Sequence, residues 1–153
     1  MRPFAPADLR AAHELFATER SAARYLSRTP ELLDDAAAGR GERLAFVAQE
    51  GKTLNGVLLA GAIAGSEGAA AITALCVRAA SRRRGTGSAL VHAACRALLA
   101  QGARLIVVEL AGDPLLAPAR ALFLDGGFTE SGRVPGLYAD GVDLVILERR
   151  STR

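Results

Sequence analysis

The chain has 153 residues, 50% of them hydrophobic and 23% charged, which favours one globular domain and argues against a disordered chain. Its net charge of +3 is too small to indicate a nucleic-acid partner by itself. Two cysteines that form no CxxC pair argue against a structural zinc site.

The amino-terminal residues and the apolar segments together argue against secretion and membrane insertion. Residues 1–10 carry charge and proline where a secretion signal needs an apolar core, so we expect a cytoplasmic protein. The longest apolar stretch, Val57 to Val77, is interrupted by a polar segment at 65–68. Two short apolar halves around a polar turn predict a buried hairpin, and no membrane partner is expected.

Two helices and three strands make up the first half of the predicted fold. The first helix covers residues 7–20, where apolar residues recur on one face. The second opens at Thr29-Pro30-Glu31, with threonine as the cap, proline at the first helical position and glutamate at the positive end of the helix dipole. Strands are predicted next at about 43–49, 54–64 and 69–77.

The second half alternates helices and strands. A helix at about 86–101 follows an arginine-rich loop, and the apolar run 105–108 predicts a strand covered on both faces. A short helix from Pro118 to Phe123 precedes two strands at about 127–134 and 142–149. The order ααβββαβαββ, without repeats or linkers, predicts a single α/β domain over residues 1–153 with a mixed sheet.

The loop between the third strand and the third helix has the features of an anion site. It contains Gly85 and Gly87 and runs directly into the helix. Free N–H groups at a helix start attract anions, and glycines let a phosphate approach the backbone closely. Arginines at 82–84 add charge-assisted hydrogen bonds of about 1.5–3 kcal/mol each, so the loop suits a diphosphate.

The sequence of this loop has three other interpretations. A Walker loop is excluded because no Lys-Ser/Thr pair follows the second glycine. A dinucleotide site of the Rossmann type gains support from Glu109 at the end of the next strand, but Leu90 takes the place of the third glycine. The first glycine, Gly85, also lies eight residues beyond Val77 instead of at the end of the strand, as that motif requires. A solvated arginine-rich turn without a ligand is the remaining alternative.

Two blocks of residues resemble the GNAT superfamily of N-acyltransferases. These enzymes carry Gln/Arg-x-x-Gly-x-Gly/Ala after a strand that ends in valine, and residues 82–87 fit this pattern five residues after Val77. Their later segment, Asn-x-x-Ala-x-x-Leu-Tyr-x-x-x-Gly-Phe, is matched at five places, namely by Ala119, Leu122, Phe123, Gly127 and Phe128. The resemblance implies a mostly antiparallel mixed sheet flanked by helices, with splayed central strands.

The resemblance also implies acetyl-CoA as the acyl donor and no metal. The pantetheine arm would lie between the splayed strands, where the N–H of Leu75 would polarise the thioester carbonyl and Val77 would pair with the pantetheine amides. The pyrophosphate would be bound by the residues from Arg82 to Ser88. The complete cofactor-binding set is Leu75, Cys76, Val77, Arg82, Arg83, Arg84, Gly85, Thr86, Gly87, Ser88, Ala119 and Phe123.

The resemblance further implies direct attack by a primary amine, without an enzyme nucleophile. Deprotonating a lysine-type amine near pKa 10.4 costs about 4.6 kcal/mol at pH 7, so a general base is valuable. Glu109 is the candidate, because it matches a glutamate in the branch that acetylates protein N-termini. Its alternative role is an ordinary strand-end carboxylate in contact with solvent or a helix cap.

One departure from the family concerns the proton that the leaving thiolate needs. Phe123 stands where the family often has a tyrosine, and a phenyl ring cannot donate a proton. Tyr138 or a water molecule would have to serve, although the position of Tyr138 favours a hairpin residue that lines the acceptor side over an acid. The family's asparagine is also absent and is replaced by Leu116.

These departures keep other functions open. A non-catalytic coenzyme A-binding module of the same fold is the main alternative. Nucleic-acid binding through the arginine cluster and the basic tail 149–153 is a weaker one, because aromatic platforms for single strands are lacking. The acceptor is expected to be a small-molecule or peptide amine, and its identity cannot be read from the residues. The oligomeric state, including a homodimer, also stays open.

Overall fold

The computed structural model describes residues 1–19, 25, 28–41 and 43–152 of the chain. The strands of this part are β1 (Arg2–Pro3), β2 (Arg43–Glu50), β3 (Thr53–Ala62), β4 (Ala69–Val77), β5 (Leu105–Ala111), β6 (Thr129–Ala139) and β7 (Val142–Arg150). The helices are α1 (Leu9–Thr18), α2 (Thr29–Ala37), α3 (Thr86–Ala100) and α4 (Ala117–Asp125). Single 3₁₀ turns at Pro6–Asp8, Ala79–Ser81 and Pro114–Leu116 precede three of the helices.

The described strands form one sheet in the order β1-β2-β3-β4-β5-β7-β6. Every neighbouring pair is antiparallel except β4 and β5, which run parallel. Helices α1 and α2 cover one face of the sheet, and α3 and α4 pack on the other. This arrangement confirms the predicted mixed, mostly antiparallel sheet flanked by helices.

Strands β4 and β5 part from each other halfway along their length. Residues 69–72 of β4 pair with 105–108 of β5, and the pairing stops there. Beyond that point β4 stays with β3 as far as Val77, while β5 stays with β7 as far as Ala111. Thr73 is skipped in the β3–β4 register, and such a bulge bends a strand where the parting begins. The structure therefore has the splayed central strands that the family resemblance implies.

The amino-terminal third differs most from the prediction. Helix α1 ends at Thr18 and is preceded by a 3₁₀ turn, and Arg20, the last residue of the predicted helix, lies outside the described residues. Thr29 is not the cap of α2: it is the first helical residue and is buried, and its predecessor Arg28 makes no side-chain cap bond. Strand β1 was not predicted, because two residues are too short to show a pattern.

Candidate active site

A cleft of about 1140 Å³ opens where β4 and β5 part. It is lined from one face by the start of α3 and by α4, and from the other by residues of α1 and α2. The predicted site residues that border it are Leu75, Cys76, Val77, Arg82, Arg83, Gly85, Thr86, Gly87, Ser88, Glu109, Ala119, Phe123 and Tyr138. Arg84 is exposed and does not border the cleft.

The free edge of β4 presents backbone amides to the gap. The N–H of Arg78 donates to the carbonyl of Asn55 in β3 at 2.8 Å. Because alternate residues of a strand direct their backbone groups to the same side, Leu75 and Val77 face the opposite edge, toward the gap. The carbonyl of Val77 accepts a hydrogen bond from Arg82 Nε at 3.0 Å, outside the β3–β4 ladder. The gap thus has the donors and acceptors that an additional extended chain needs.

The start of α3 lacks a capping side chain. Its first intrahelical bond runs from the N–H of Ala89 to the carbonyl of Gly85, which is the N-cap residue with φ +81°. The N–H groups of Thr86, Gly87 and Ser88 therefore have no acceptor within the helix. These three residues border the cleft, so the positive end of the helix dipole is directed at it.

The two glycines of the loop have different structural roles. A Cβ at Gly87 would lie 2.6 Å from Cδ1 of Leu122, so a side chain there would clash with α4. A Cβ at Gly85 would meet nothing within 4 Å, and the positive φ explains the glycine at that position. Gly87 is therefore required for packing against α4 as well as for the predicted close approach of a phosphate. Gly87→Trp would disturb the contact between α3 and α4 in addition to blocking a ligand.

Each of the three arginines of the loop has a different environment. Arg82 is held by Val77 and by Glu19, whose Oε2 accepts from Arg82 Nη2 at 2.6 Å. Arg83 borders the cleft and makes no hydrogen bond or ion pair within the described part of the chain. Its φ of 58° is unusual for a residue other than glycine and costs about 1 kcal/mol or more. Arg83 is therefore the arginine best placed to reach an anion in the cleft.

Glu19 is a site residue that the sequence analysis missed. Its carboxylate accepts from the N–H of Ala79 at 3.0 Å as well as from Arg82, and only 14% of its side chain is exposed. It joins the end of α1 to the beginning of the loop. The signal in the sequence was a negative charge at a helix C-terminus, which opposes the dipole and needs a compensating partner.

Replacing Glu19 with Ala is expected to lower the free energy of unfolding by about 1–3 kcal/mol, because two hydrogen bonds involving a charged group are lost. Urea denaturation measures this change, and the melting temperature should fall by about 2–4 °C per kcal/mol. Glu14→Ala on the same helix is the control, because its pair with Arg10 is exposed. Equal destabilisation by the two substitutions would contradict a bonding role for Glu19.

Glu109 borders the cleft together with Tyr25 and Tyr138. Glu109 lies opposite Ile146, two residues before the end of β5, and not at its end as predicted. Since Val108 and Leu110 pack into the α3 core, Glu109 faces α1 and α2. It is exposed and makes no hydrogen bond within the described residues. Burial, and then the negative charge of Glu109, raise the pKa of Tyr138.

Three other residues that border the cleft are Cys76, Phe123 and His13. Burial and the charge of Glu19 raise the pKa of the Cys76 thiol to about 12, so it stays protonated and is no nucleophile. Phe123 is buried and packs edge-to-face on Phe128 with ring centroids 5.3 Å apart. His13 of α1 borders the cleft, where its Nε2 lies 2.9 Å from Asp34 Oδ1.

Neither a metal-binding cluster nor a membrane-spanning helix is present among the described residues. No group of three or more His, Cys, Asp or Glu side chains is arranged to hold a metal ion there. None of the helices in those residues is both long and apolar enough to span a membrane.

Comparison with known proteins relates the chain to acetyltransferases. The model of the acetyltransferase (GNAT) family matches residues 9–128. A protein of Desulfovibrio desulfuricans assigned to that family has a solved structure that is 21% identical, with a TM-score of 0.84, over 97% of this chain and 96% of that one. No curated protein gives a sequence match.

Two further solved structures are similar over almost the whole length. The ribosomal-protein-S18-alanine N-acetyltransferase of Escherichia coli is 18% identical, with a TM-score of 0.78, over 99% of this chain and 93% of that one. An aminoglycoside 6′-N-acetyltransferase complexed with coenzyme A is 14% identical, with a TM-score of 0.79, over 97% of this chain and 93% of that one. At these identities the likeness shows the fold.

Proposed function

Because this chain belongs to the acetyltransferase (GNAT) family, we propose that it transfers the acetyl group of acetyl-CoA to a primary amine. The family match confirms the resemblance found in the sequence. The single observation that supports the proposal most is the cleft, which joins the open edge of β4 to the uncapped start of α3. Of the solved neighbours, one is named for a protein amine and another for an aminoglycoside amine.

The residues present fit coenzyme A at three points. The gap-facing amides of Leu75 and Val77 suit the amides of a pantetheine arm, which would lie between β4 and β5 as an additional strand. The N–H groups of Thr86 to Ser88 suit a diphosphate, because they have no intrahelical acceptor. Arg83 borders the same region and adds positive charge. Ala119 and Phe123 border the cleft from α4 and supply apolar surface.

The proposed roles in the reaction follow from these positions. Bound acetyl-CoA supplies the acetyl group as a thioester. The N–H of Leu75 is a fixed donor for the negative charge that develops on the carbonyl oxygen. Glu109 takes a proton from the ammonium of the acceptor, and the free amine attacks the carbonyl carbon directly. The C–S bond breaks as the new C–N bond forms, and the attacking nitrogen loses its second proton to solvent.

Tyr138 is the proposed donor to the leaving thiolate, with water as the alternative. The hydroxyl is protonated at neutral pH, as a proton donor requires, because the ordinary pKa of tyrosine is already about 10. Burial raises the pKa of Tyr138 further, which makes it a weaker acid. Phe123 cannot take this role. A thiol with a pKa near 8.5 is a good leaving group, so assistance from Tyr138 is helpful but not essential.

The second candidate function is binding of coenzyme A without catalysis. It is favoured by Phe123 and Leu116, which replace a hydroxyl and an amide of the family pattern and are both buried. Cys76 offers no alternative chemistry because its thiol stays protonated. A binding module would keep the β4 edge and the start of α3 but would not depend on Glu109.

Two measurements test the proposal. Isothermal titration with coenzyme A and with acetyl-CoA is expected to show saturable binding. Thiol release from acetyl-CoA, followed with a panel of amines, is expected to depend on the amine. Saturable binding without turnover on any amine would favour the binding module. Absence of both would refute the proposed function.

A further inference from the structure

Three segments that are distant in the chain meet on the acceptor side of the cleft. The hydroxyl of Tyr25, which lies between α1 and α2, donates to Asp113 Oδ2 at 2.5 Å, across 88 positions of sequence. Its ring contacts Tyr138 of β6, with centroids 5.2 Å apart and an interplanar angle of 74°. Asp113 is itself held, because its Oδ1 accepts from the N–H of Leu115 at 2.9 Å. We name Tyr25, Asp113 and Tyr138 the tyrosine bridge.

The tyrosine bridge lies at the cleft and connects its two walls. Tyr25 and Tyr138 both border the cleft, together with Glu109. One side of the cleft is lined by Tyr25 and by residues of α1 and α2, and the other by the end of β5 and by Tyr138 of β6. The ring contact joins the two sides of the cleft close to Glu109, whose charge acts on Tyr138. The space beside Glu109 is therefore bounded at this point by the two rings.

The bonds of the bridge are strong enough to hold this boundary. A hydroxyl that donates to a carboxylate makes a charge-assisted hydrogen bond, which is stronger than one between neutral groups. The edge-to-face geometry is a preferred one for an aromatic pair. Tyr25 is thus fixed at both its ring and its hydroxyl.

The remaining surface on this side indicates what the space accepts. Phe16 and Leu33 supply apolar lining, and Tyr25 and Tyr138 line the same cleft with aromatic rings, a type of group that attracts cations. Glu109 supplies a negative charge beside Tyr138. These features together suit an ammonium group carried on a short, mainly apolar body.

We infer that the tyrosine bridge restricts the acceptor to compact small-molecule primary amines and excludes an extended peptide. This inference rests on the proposed acetyl transfer and adds the class of acceptor. Tyr25 acts here as a specificity-determining residue, because it closes the space without taking part in the chemistry.

The test compares two forms of one amine. The first is the best small acceptor from the thiol-release panel, and the second is a hexapeptide that carries the same amine. The wild-type kcat/KM is expected to favour the small amine by about 100-fold, since an extended body meets the bridge. Tyr25→Ala is expected to reduce this preference by about tenfold or more through a gain on the hexapeptide. The KM for acetyl-CoA should stay within about twofold of the wild-type value, because Tyr25 contacts Asp113 and Tyr138, which are outside the proposed cofactor-binding set.

Two further variants complete the test. Tyr25→Phe keeps the ring and removes the bond to Asp113, so it should relax the preference less than Tyr25→Ala. It also covers the outcome in which the alanine variant fails to fold. Leu137→Ala is the control, because Leu137 is exposed on the same hairpin and does not border the cleft. The preference of this variant for the small amine over the hexapeptide should equal that of the wild-type protein.

The outcomes separate the inference from the function it rests on. If no amine is acetylated, the proposed function fails and the inference falls with it. If the wild-type protein uses the hexapeptide as readily as the small amine, acetyl transfer stands and the inference is overturned. The inference is also overturned if both Tyr25 variants keep the full preference for the small amine.

Discussion

Replacing Glu109 with Gln is expected to lower kcat for a lysine-type amine by about 100-fold or more at pH 7, because general-base catalysis contributes about that much. The amide keeps the size of the side chain and removes its basicity. Glu109 is exposed and makes no hydrogen bond within the described residues, so the free energy of unfolding should change by less than about 0.5 kcal/mol. Steady-state kinetics and urea denaturation measure the two effects separately.

The effect of this substitution should depend on pH in a defined direction. At pH 7 an amine of pKa about 10.4 is almost entirely protonated, and the base has to remove a proton before attack. As the pH rises toward that value, more free amine is present and the base matters less. The ratio of wild-type to Glu109→Gln rates should therefore decrease steadily with increasing pH.

His13→Asn distinguishes Glu109 from a second group at the cleft that can act as a base. His13 is hydrogen-bonded to Asp34 and borders the acceptor side, so it is the rival base. The substitution should leave the pH dependence of the rate unchanged if Glu109 is the base. A ratio for Glu109→Gln that is flat with pH, together with a large loss for His13→Asn, would assign the role to the histidine.

The helices and strands could be predicted where local pattern and tertiary packing agree. Strand β4 consists mainly of small apolar residues, and its predicted bounds equal the observed Ala69–Val77. Strand β5 continues to Ala111 because its pairing with β7 persists beyond the apolar residues, although Glu109 interrupts the run. The cap at Thr29 was wrong because the threonine is buried in the first helical turn instead of preceding it.

The candidate site also has a part that could be predicted from the sequence and a part that could not. The cofactor side could be predicted because the end of β4, the loop and the start of α3 are contiguous in the chain. On the other side of the cleft, Glu109 and Tyr138 were predicted, but Tyr25 and Asp113 were not, because Tyr25 meets Asp113 and Tyr138 only through the tertiary fold. Glu19 was missed for the same reason: its partners Ala79 and Arg82 lie about 60 residues farther along. Spacing reveals a motif, whereas contacts between distant segments require the structure.

Replacing Ser88 with Asp is expected to weaken coenzyme A binding by about 100-fold. The new carboxylate would lie next to the negatively charged diphosphate, and such a juxtaposition of like charges costs several kcal/mol, where each 1.4 kcal/mol is a factor of about ten in affinity. Ser88 is exposed, borders the cleft and occupies the third position of α3. An acidic residue there is favourable to the helix dipole, so the variant should be as stable as the wild-type protein or slightly more stable. Isothermal titration gives the affinity and thermal melting gives the stability.

A neutral variant and a phosphate-free ligand isolate the charge effect. Ser88→Asn has nearly the shape of the aspartate and no charge, so its affinity for coenzyme A should stay within about threefold of wild type. An acetylated pantetheine without phosphates should bind the wild-type and Ser88→Asp proteins equally. Added salt should restore part of the lost coenzyme A affinity, because the repulsion is screened. If the aspartate variant binds coenzyme A normally, the diphosphate does not contact the start of α3, and the proposed donor site loses its main support.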